Sequence, residues 1–265
     1  MVIDAHHHLW QPWEQYTEEL QKYASKLGID RVVVTGWPPH HVGNDTMARA
    51  QAAHPDFLLC LGFLRLGEDS PREVDRIKDL GLKGIKIIQP LDRYDADEFM
   101  PIYARAASLK LPILFHLGIV ARDPSMDRLW DVSMARMRPV YLDRIARHFP
   151  ELDIIGAHLG NPWYEEAGEL GRMHPNVYFD ITGSTFKKKS PQFVSEVFWW
   201  AQNEQYGKMG DKHPYAKIVF GTDVVPEMME DVKNDYQVFM DHVQMQQEHR
   251  DMIWGGTAAR IFGLQ

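Results

Sequence analysis

Apolar, β-branched runs of five to seven residues recur along the chain, and between them apolar positions return every three or four residues. The first pattern suits strands buried on both faces, and the second suits amphipathic helices. The pattern predicts strands over Val2–His6, Arg31–Thr35, Phe57–Phe63, Gly84–Ile88, Pro112–His116, Asp153–His158, Asn176–Ile181 and Lys217–Gly221. Helices are predicted over Glu14–Lys26, Asp45–His54, Pro71–Leu80, Asp97–Leu109, Pro139–His148, Trp163–His174, Pro191–Tyr206 and Asp231–His249, with a short one over Ala258–Phe262. Gly28, Gly81 and Gly207 fall just past helix ends, where a left-handed residue closes the last turn, and Pro71, Pro139 and Pro191 fall near helix starts.

Eight strand–helix units of about 33 residues fill the 265-residue chain, and a closed (β/α)8 barrel takes about 250. The predicted fold is therefore an α/β TIM barrel forming one domain over residues 1–265. An open doubly wound sheet is disfavoured, because the first strand leads into His6-His7-His8-Leu9-Trp10 and not into a Gly-rich phosphate loop. The connections Gly118–Arg138 and Gly183–Ser190 are long for a barrel and are candidate lids over its mouth.

Composition narrows the function. With 29 Lys+Arg against 37 Asp+Glu, the net charge of −8 argues against nucleic acid and against an anionic membrane surface as partners. No stretch approaches the length of an apolar membrane span, the first residues lack a basic and then apolar leader, and Cys60 stands alone, so a cytoplasmic protein is expected. The thirteen histidines are the unusual feature, since imidazole is the commonest metal ligand and the usual acid–base group near neutrality.

Their positions matter more than their number. His6 ends the first predicted strand with His8 two residues on, His116 ends the fifth, His158 ends the sixth, and Asp223 lies just past the eighth. In a barrel these carboxyl ends surround one mouth, where active sites lie. Residues i and i+2 of a strand face the same way, so His6 and His8 can reach one ion while His7 points elsewhere. His116 and Asp223 offer a third nitrogen and a carboxylate, leaving a position open for water or substrate. The competing reading is a set of buried imidazoles that only hydrogen-bond.

The segments Asp4-Ala5-His6-His7-His8, Gly84-Ile85-Lys86-Ile87, Leu114-Phe115-His116-Leu117-Gly118, Ala157-His158-Leu159-Gly160-Asn161-Pro162-Trp163, Pro175-Asn176-Val177-Tyr178-Phe179-Asp180 and Phe220-Gly221-Thr222-Asp223 resemble the successive motifs of the amidohydrolase-related family, in the branch of aminocarboxymuconate-semialdehyde decarboxylase-like enzymes. The resemblance runs from residue 3 to 264, and Thr257 stands where that family usually has Asn. It implies a distorted barrel holding one divalent ion, zinc before manganese, on His6, His8, His116 and Asp223, with His158 as the catalytic acid–base or polarising histidine. In the chemistry so implied, Asp223 takes a proton from water and His158 stabilises an oxyanion or acts as general acid.

Around that centre, Lys86 is expected to contact substrate, against a lysine facing the outer helices or a carbamylated bridge between two metals. Arg122 and Arg138, with Arg128, Arg136 and Trp130 in the same loop, offer a clamp for a carboxylate and a ring to stack on, although Asp123, Asp127 and Asp131 lie close enough to neutralise the arginines. Trp163 is a candidate pocket wall, His40 and His41 lie within reach of the mouth, and Cys60 reads as an inert buried thiol. Three functions follow in order: metal-assisted hydrolysis of a lactone, ester or amide, with a sugar or aromatic lactone as substrate; non-oxidative decarboxylation of an unsaturated or aromatic acid; and a non-catalytic binding barrel. The expected partner is a small molecule bearing a carboxylate or lactone, with homo-oligomerisation left open.

Overall fold

In the computed structural model, eight strands form one sheet in sequence order: β1 (Ile3–His8), β2 (Arg31–Thr35), β3 (Leu58–Leu64), β4 (Gly84–Ile87), β5 (Ile113–Phe115), β6 (Ile154–Gly156), β7 (Val177–Asp180) and β8 (Ile218–Val219). Every neighbouring pair is parallel, giving the TIM barrel that the alternation predicts. The structure describes residues 1–37, 42–124, 127–206 and 213–264, so His40, His41 and Gly207 lie outside the described residues.

The barrel closes between β8 and β1 through the stretch just past β8. Ala5 N–H donates to Phe220 O (2.8 Å) and Asp223 N–H to His6 O (2.8 Å). A bulge between Asp4 and His7 resets the alternation of β1, so both residues meet Thr222 across this seam. Asp4 accepts from Thr222 Oγ1 (2.5 Å), and His7 Nδ1 lies 2.9 Å from the same hydroxyl while its Nε2 accepts from Tyr16 OH (2.9 Å). Burial lowers His7 to about 3 and raises Asp4 to about 7, the latter against hydrogen bonds from Thr222 and His6.

Two apolar cores follow from strands buried on both faces. Ile3, Val33, Leu59, Leu114, Ile155 and Val219 fill the barrel interior, plugged at the bottom by Ala258 and Ile261 of the last helix, Thr257–Ile261. The larger core lies between the strands and the outer helices, where Cys60 is fully buried and its thiol pushed up by that burial.

The strand bounds lie within two residues of prediction at all eight strands, β8 being shortened to Ile218–Val219. Two predicted helices are interrupted. The segment from Pro191 is α-helical only to Val197 before passing into 3-10 turns, and Met229–His242 is separated from Gln247–Asp251 where Gln244 takes φ 49°. The connection after β7 contains a single helical turn, Thr185–Lys188, in place of a plain loop. No helix among the described residues is long and apolar enough to cross a membrane.

Candidate metal centre and active site

His6 and His8 share the mouth-facing side of β1, and Asp223, at φ 51°, turns back toward them from beyond β8. One ligand atom from each of the three lies within 4.8 Å of the others; His8 Nε2 is 3.3 Å and His6 Nε2 3.7 Å from Asp223 Oδ1. His6 Nδ1 lies 2.8 Å from Asp180 Oδ2. A carboxylate only accepts, so Nδ1 carries the hydrogen and the Nε2 lone pair faces the group; such a carboxylate-backed imidazole is the usual support of a metal-binding histidine. Burial drives His8 down against its bond to Asp223, whereas at Asp223 burial is outweighed by the His6, His8 and His158 imidazoles, which hold its carboxyl well below the ordinary range.

Two imidazole nitrogens, a half-buried ionised carboxylate and space on the mouth side fit a zinc or manganese ion with an open position. Lys86 bears on that fit. Its side chain is fully buried and its Nζ donates to His6 Nε2 at 2.9 Å, so ligation through that nitrogen requires the bond to break. Burial lowers Lys86 to about 8, against the carboxylates of Asp223 and Asp180.

His158 follows β6 in a left-handed turn (φ 60°), not in the strand, and its N–H is anchored on Asp180 Oδ1 (2.8 Å). Thr182 Oγ1 donates to the same oxygen (2.5 Å) and therefore accepts from His158 Nδ1–H at 2.8 Å. His158 Nε2 is thus a lone pair, 3.7 Å from Asp223 Oδ2, and burial lowers its pKa to about 4. A neutral imidazole in this tautomer presents a proton acceptor at Nε2, and it can act as an acid there only after it has first taken up a proton. His116 donates from Nε2 to Ile119 O (3.0 Å) and points Nδ1 at His158 Nε2, 3.3 Å away. Both facing nitrogens are acceptors while the rings are neutral, so they can share a hydrogen only once one ring takes up a proton; His116 is not in the three-residue group of His6, His8 and Asp223.

Asp180 and Thr182 are the functional residues that sequence reasoning passed over. Their signal is an acid ending the apolar run Val177–Asp180 in the place where other strands end in histidine.

Above these groups lies a cavity of about 540 Å³ lined by His8, His116, His158 and Asp223 at its floor. Its walls include Trp10, Trp37, Ile88, Ile119, Val120 and Ala121, with Arg122, Asn161, Gly183 and Ser184 completing the lining. The loop after β5 thus does border the mouth. It reaches β6's loop through Gly118 (φ 80°), where an added Cβ would sit 1.7 Å from Asn161 O. Trp130 of this loop stacks on Arg65 (4.3 Å) and meets Trp37 edge-on at 6.4 Å, bracing the wall.

Three expected substrate contacts are placed differently. Lys86 lies under His6 and does not line the cavity. Arg138 is bonded to Glu166 and sits over the Trp163 ring at 5.2 Å, and neither residue lines the cavity. Arg122 does line it, with its guanidinium 3.1 Å from Asp127.

A family model described as Amidohydrolase matches residues 3–264. Among solved structures, an uncharacterized TIM-barrel protein from Bordetella bronchiseptica is similar at TM-score 0.72 and 18% identity, covering 99% of this chain and 98% of that one. A probable 2-pyrone-4,6-dicarboxylic acid hydrolase from Acinetobacter baumannii, solved with citric acid bound, gives 0.65 at 14% identity over 99% of each chain. An amidohydrolase from Burkholderia multivorans with bound zinc gives 0.64 at 15% identity over 100% of each. Two curated relatives match at 24% and 27% identity, and the matched stretches span only 12% and 43% of their lengths.

Proposed function

The chain belongs to the amidohydrolase family, whose members are enzymes, and on that premise we propose that it is a hydrolase that opens a small-molecule lactone or ester, or cleaves an amide, at a mononuclear metal centre on His6, His8 and Asp223. The carrying observation is the junction of this three-ligand group with the unprotonated Nε2 of His158, 3.7 Å from Asp223. Zinc is the proposed ion, with manganese the alternative, in keeping with the zinc in the Burkholderia relative. A divalent ion there supplies Lewis-acid polarisation of the reacting oxygen.

The chain's own groups do the rest. His158 Nε2 takes a proton from water as the water oxygen bonds to the acyl carbon; the acyl C–O or C–N bond breaks, and the proton passes from Nε2 to the leaving atom. Thr182 holds the opposite ring nitrogen, keeping the accepting lone pair on the cavity side. His116 Nδ1, 3.3 Å away, shares the proton while it resides on the pair. Asp223 stays ionised and orients His8.

Decarboxylation of an unsaturated or aromatic acid is the second reading, since the same floor can grip a carboxylate. It must deliver a proton to carbon, and His158, neutral and with its hydrogen held at Nδ1 by Thr182, carries none at Nε2 to deliver, which favours hydrolysis. The lone cysteine, buried in β3, supports the cytoplasmic location proposed with it. Unbuffered assays separate the reactions: lactone or ester opening acidifies the solution without gas, whereas decarboxylation releases CO2 and consumes a proton. His158→Ala should lower kcat/KM by at least about 100-fold; full activity in that variant overturns the proposal.

A further inference from the structure

We propose that the substrate is a flat, largely apolar ring lactone or ester, aromatic or conjugated, bearing no more than one carboxylate. This rests on the hydrolase reading of the same site and adds what the cavity selects.

The lining divides sharply. Its titratable groups, His8, His116, His158 and Asp223, gather at the floor, where the bond is broken. The rest of the described lining includes the apolar side chains of Trp10, Trp37, Ile88, Ile119 and Val120. Trp10 is 39% and Ile119 52% exposed, so the mouth presents large apolar surface to water, as a surface meant to be covered by a ligand does. Trp37 is backed edge-on by Trp130, which is itself stacked on the buried Arg65, so this wall is rigid before a ring arrives.

Among the described lining residues beyond the histidines and Asp223, the polar side-chain groups are Ser184, Asn161, Arg122 and the two indole N–H groups, and some are already engaged. Asn161 Oδ1 already accepts from Tyr164 OH (2.9 Å). Arg122 is the one cation among the described lining residues, and its guanidinium, 82% exposed, is paired with Asp127. A polyhydroxylated sugar lactone carries more hydroxyls than the indole N–H groups, Ser184 and Asn161 can serve, so several would press against ring faces and methyl groups, and leaving such groups unpaired is what discriminates most strongly against a ligand. A dicarboxylate would bring two charges to one arginine. A planar apolar ring meets neither penalty, and a single carboxylate at the rim can share Arg122.

The test compares three probes on the metal-loaded enzyme: dihydrocoumarin, D-glucono-1,5-lactone and 2-pyrone-4,6-dicarboxylate. Dihydrocoumarin should exceed either competitor in kcat/KM by about 100-fold or more, a span one set of unpaired polar groups can supply. Trp10→Ala, at the exposed rim, and Trp37→Leu, which keeps an apolar side chain, should each cut that preference by about tenfold or more. Binding is read separately from turnover: in the His158→Ala enzyme, coumarin should quench tryptophan fluorescence, and it should bind more weakly when Trp37→Leu is added. Equal or better turnover of the sugar lactone or the dicarboxylate overturns the substrate class while leaving the hydrolase reading standing. Trp37-dependent coumarin binding with no lactone turned over supports the class and overturns the hydrolase reading. Absence of coumarin binding overturns the class outright.

Discussion

Asp180 is the residue on which two halves of the site depend, and Asp180→Asn isolates its role. The carboxylate is fully buried and accepts four hydrogens: His6 Nδ1–H at 2.8 Å on Oδ2, and His158 N–H at 2.8 Å, Thr182 N–H at 3.1 Å and Thr182 Oγ1–H at 2.5 Å on Oδ1. Asparagine of the same shape can keep its oxygen toward the three donors on one side, but its NH2 then faces His6 Nδ1–H, donor against donor. Relief requires His6 to move its hydrogen to Nε2, which removes the lone pair from the His6, His8 and Asp223 group. Losing one buried bond to a charged acceptor costs about 1.5–3 kcal/mol of stability, and losing a carboxylate behind a metal-binding imidazole typically weakens metal affinity about 10–100-fold. Urea unfolding of the metal-free protein gives the first quantity, competition against a chromogenic chelator gives the second, and nitrogen NMR of the histidines reports the tautomer of His6. A metal affinity within twofold of wild type, with His6 still protonated at Nδ1, would refute the reasoning.

Thr182→Val removes the acceptor of His158 Nδ1–H while sparing the charge on Asp180, so it should lower kcat/KM by about tenfold or more with metal affinity unchanged, a split measured by pairing steady-state kinetics with the chelator titration. Lys86→Met removes the ammonium bonded to His6 Nε2 and should tighten metal binding by about tenfold, equivalent to about 1.4 kcal/mol; weaker binding would mean that the lysine supports the site. Because His158 must be neutral to accept a proton and is lowered to about 4, the acid limb of kcat/KM against pH should lie nearer 4 than the ordinary imidazole value of 6.5. His7, neutral in the fold and lowered to about 3, contributes stability that is complete above pH 6.5 and lost as pH falls from there toward 3, with a slope of about 1.4 kcal/mol per pH unit from this one proton, checked by urea unfolding of wild type against His7→Asn across that range.

The barrel was legible because its signal is local: eight apolar runs, each separated by helical periodicity, suffice to place all eight strands within two residues. The strand-end histidines were legible for the same reason, since topology alone carries them to one mouth. What remained hidden depends on contacts between distant segments. The bond from His6 to Asp180 spans 174 residues and the one from His158 to Thr182 spans 24, and no periodicity announces either. The tautomers, and with them the role of His158 as acceptor, follow only from those partners. His116 was read as a ligand from its strand-end position and from the family resemblance; that its Nδ1 faces His158, with Nε2 bonded to Ile119 O, is a detail of the loop that follows and carries no periodic signal. Arg138 and Trp163 were read from composition, which does not reveal that Glu166 and the stacked ring already engage the guanidinium. The break at Gln244 escaped notice because apolar spacing continues through it on both sides.

Elemental analysis of the protein purified without added metal, run beside the His6→Ala/His8→Ala double variant, bears most directly on the centre. Wild type should carry about one equivalent of zinc or manganese per chain, and the folded double variant should carry almost none. A wild-type chain that hydrolyses a lactone at full rate with no divalent metal present, or a double variant that retains its metal, would contradict the assignment of His6, His8 and Asp223 as the ligands.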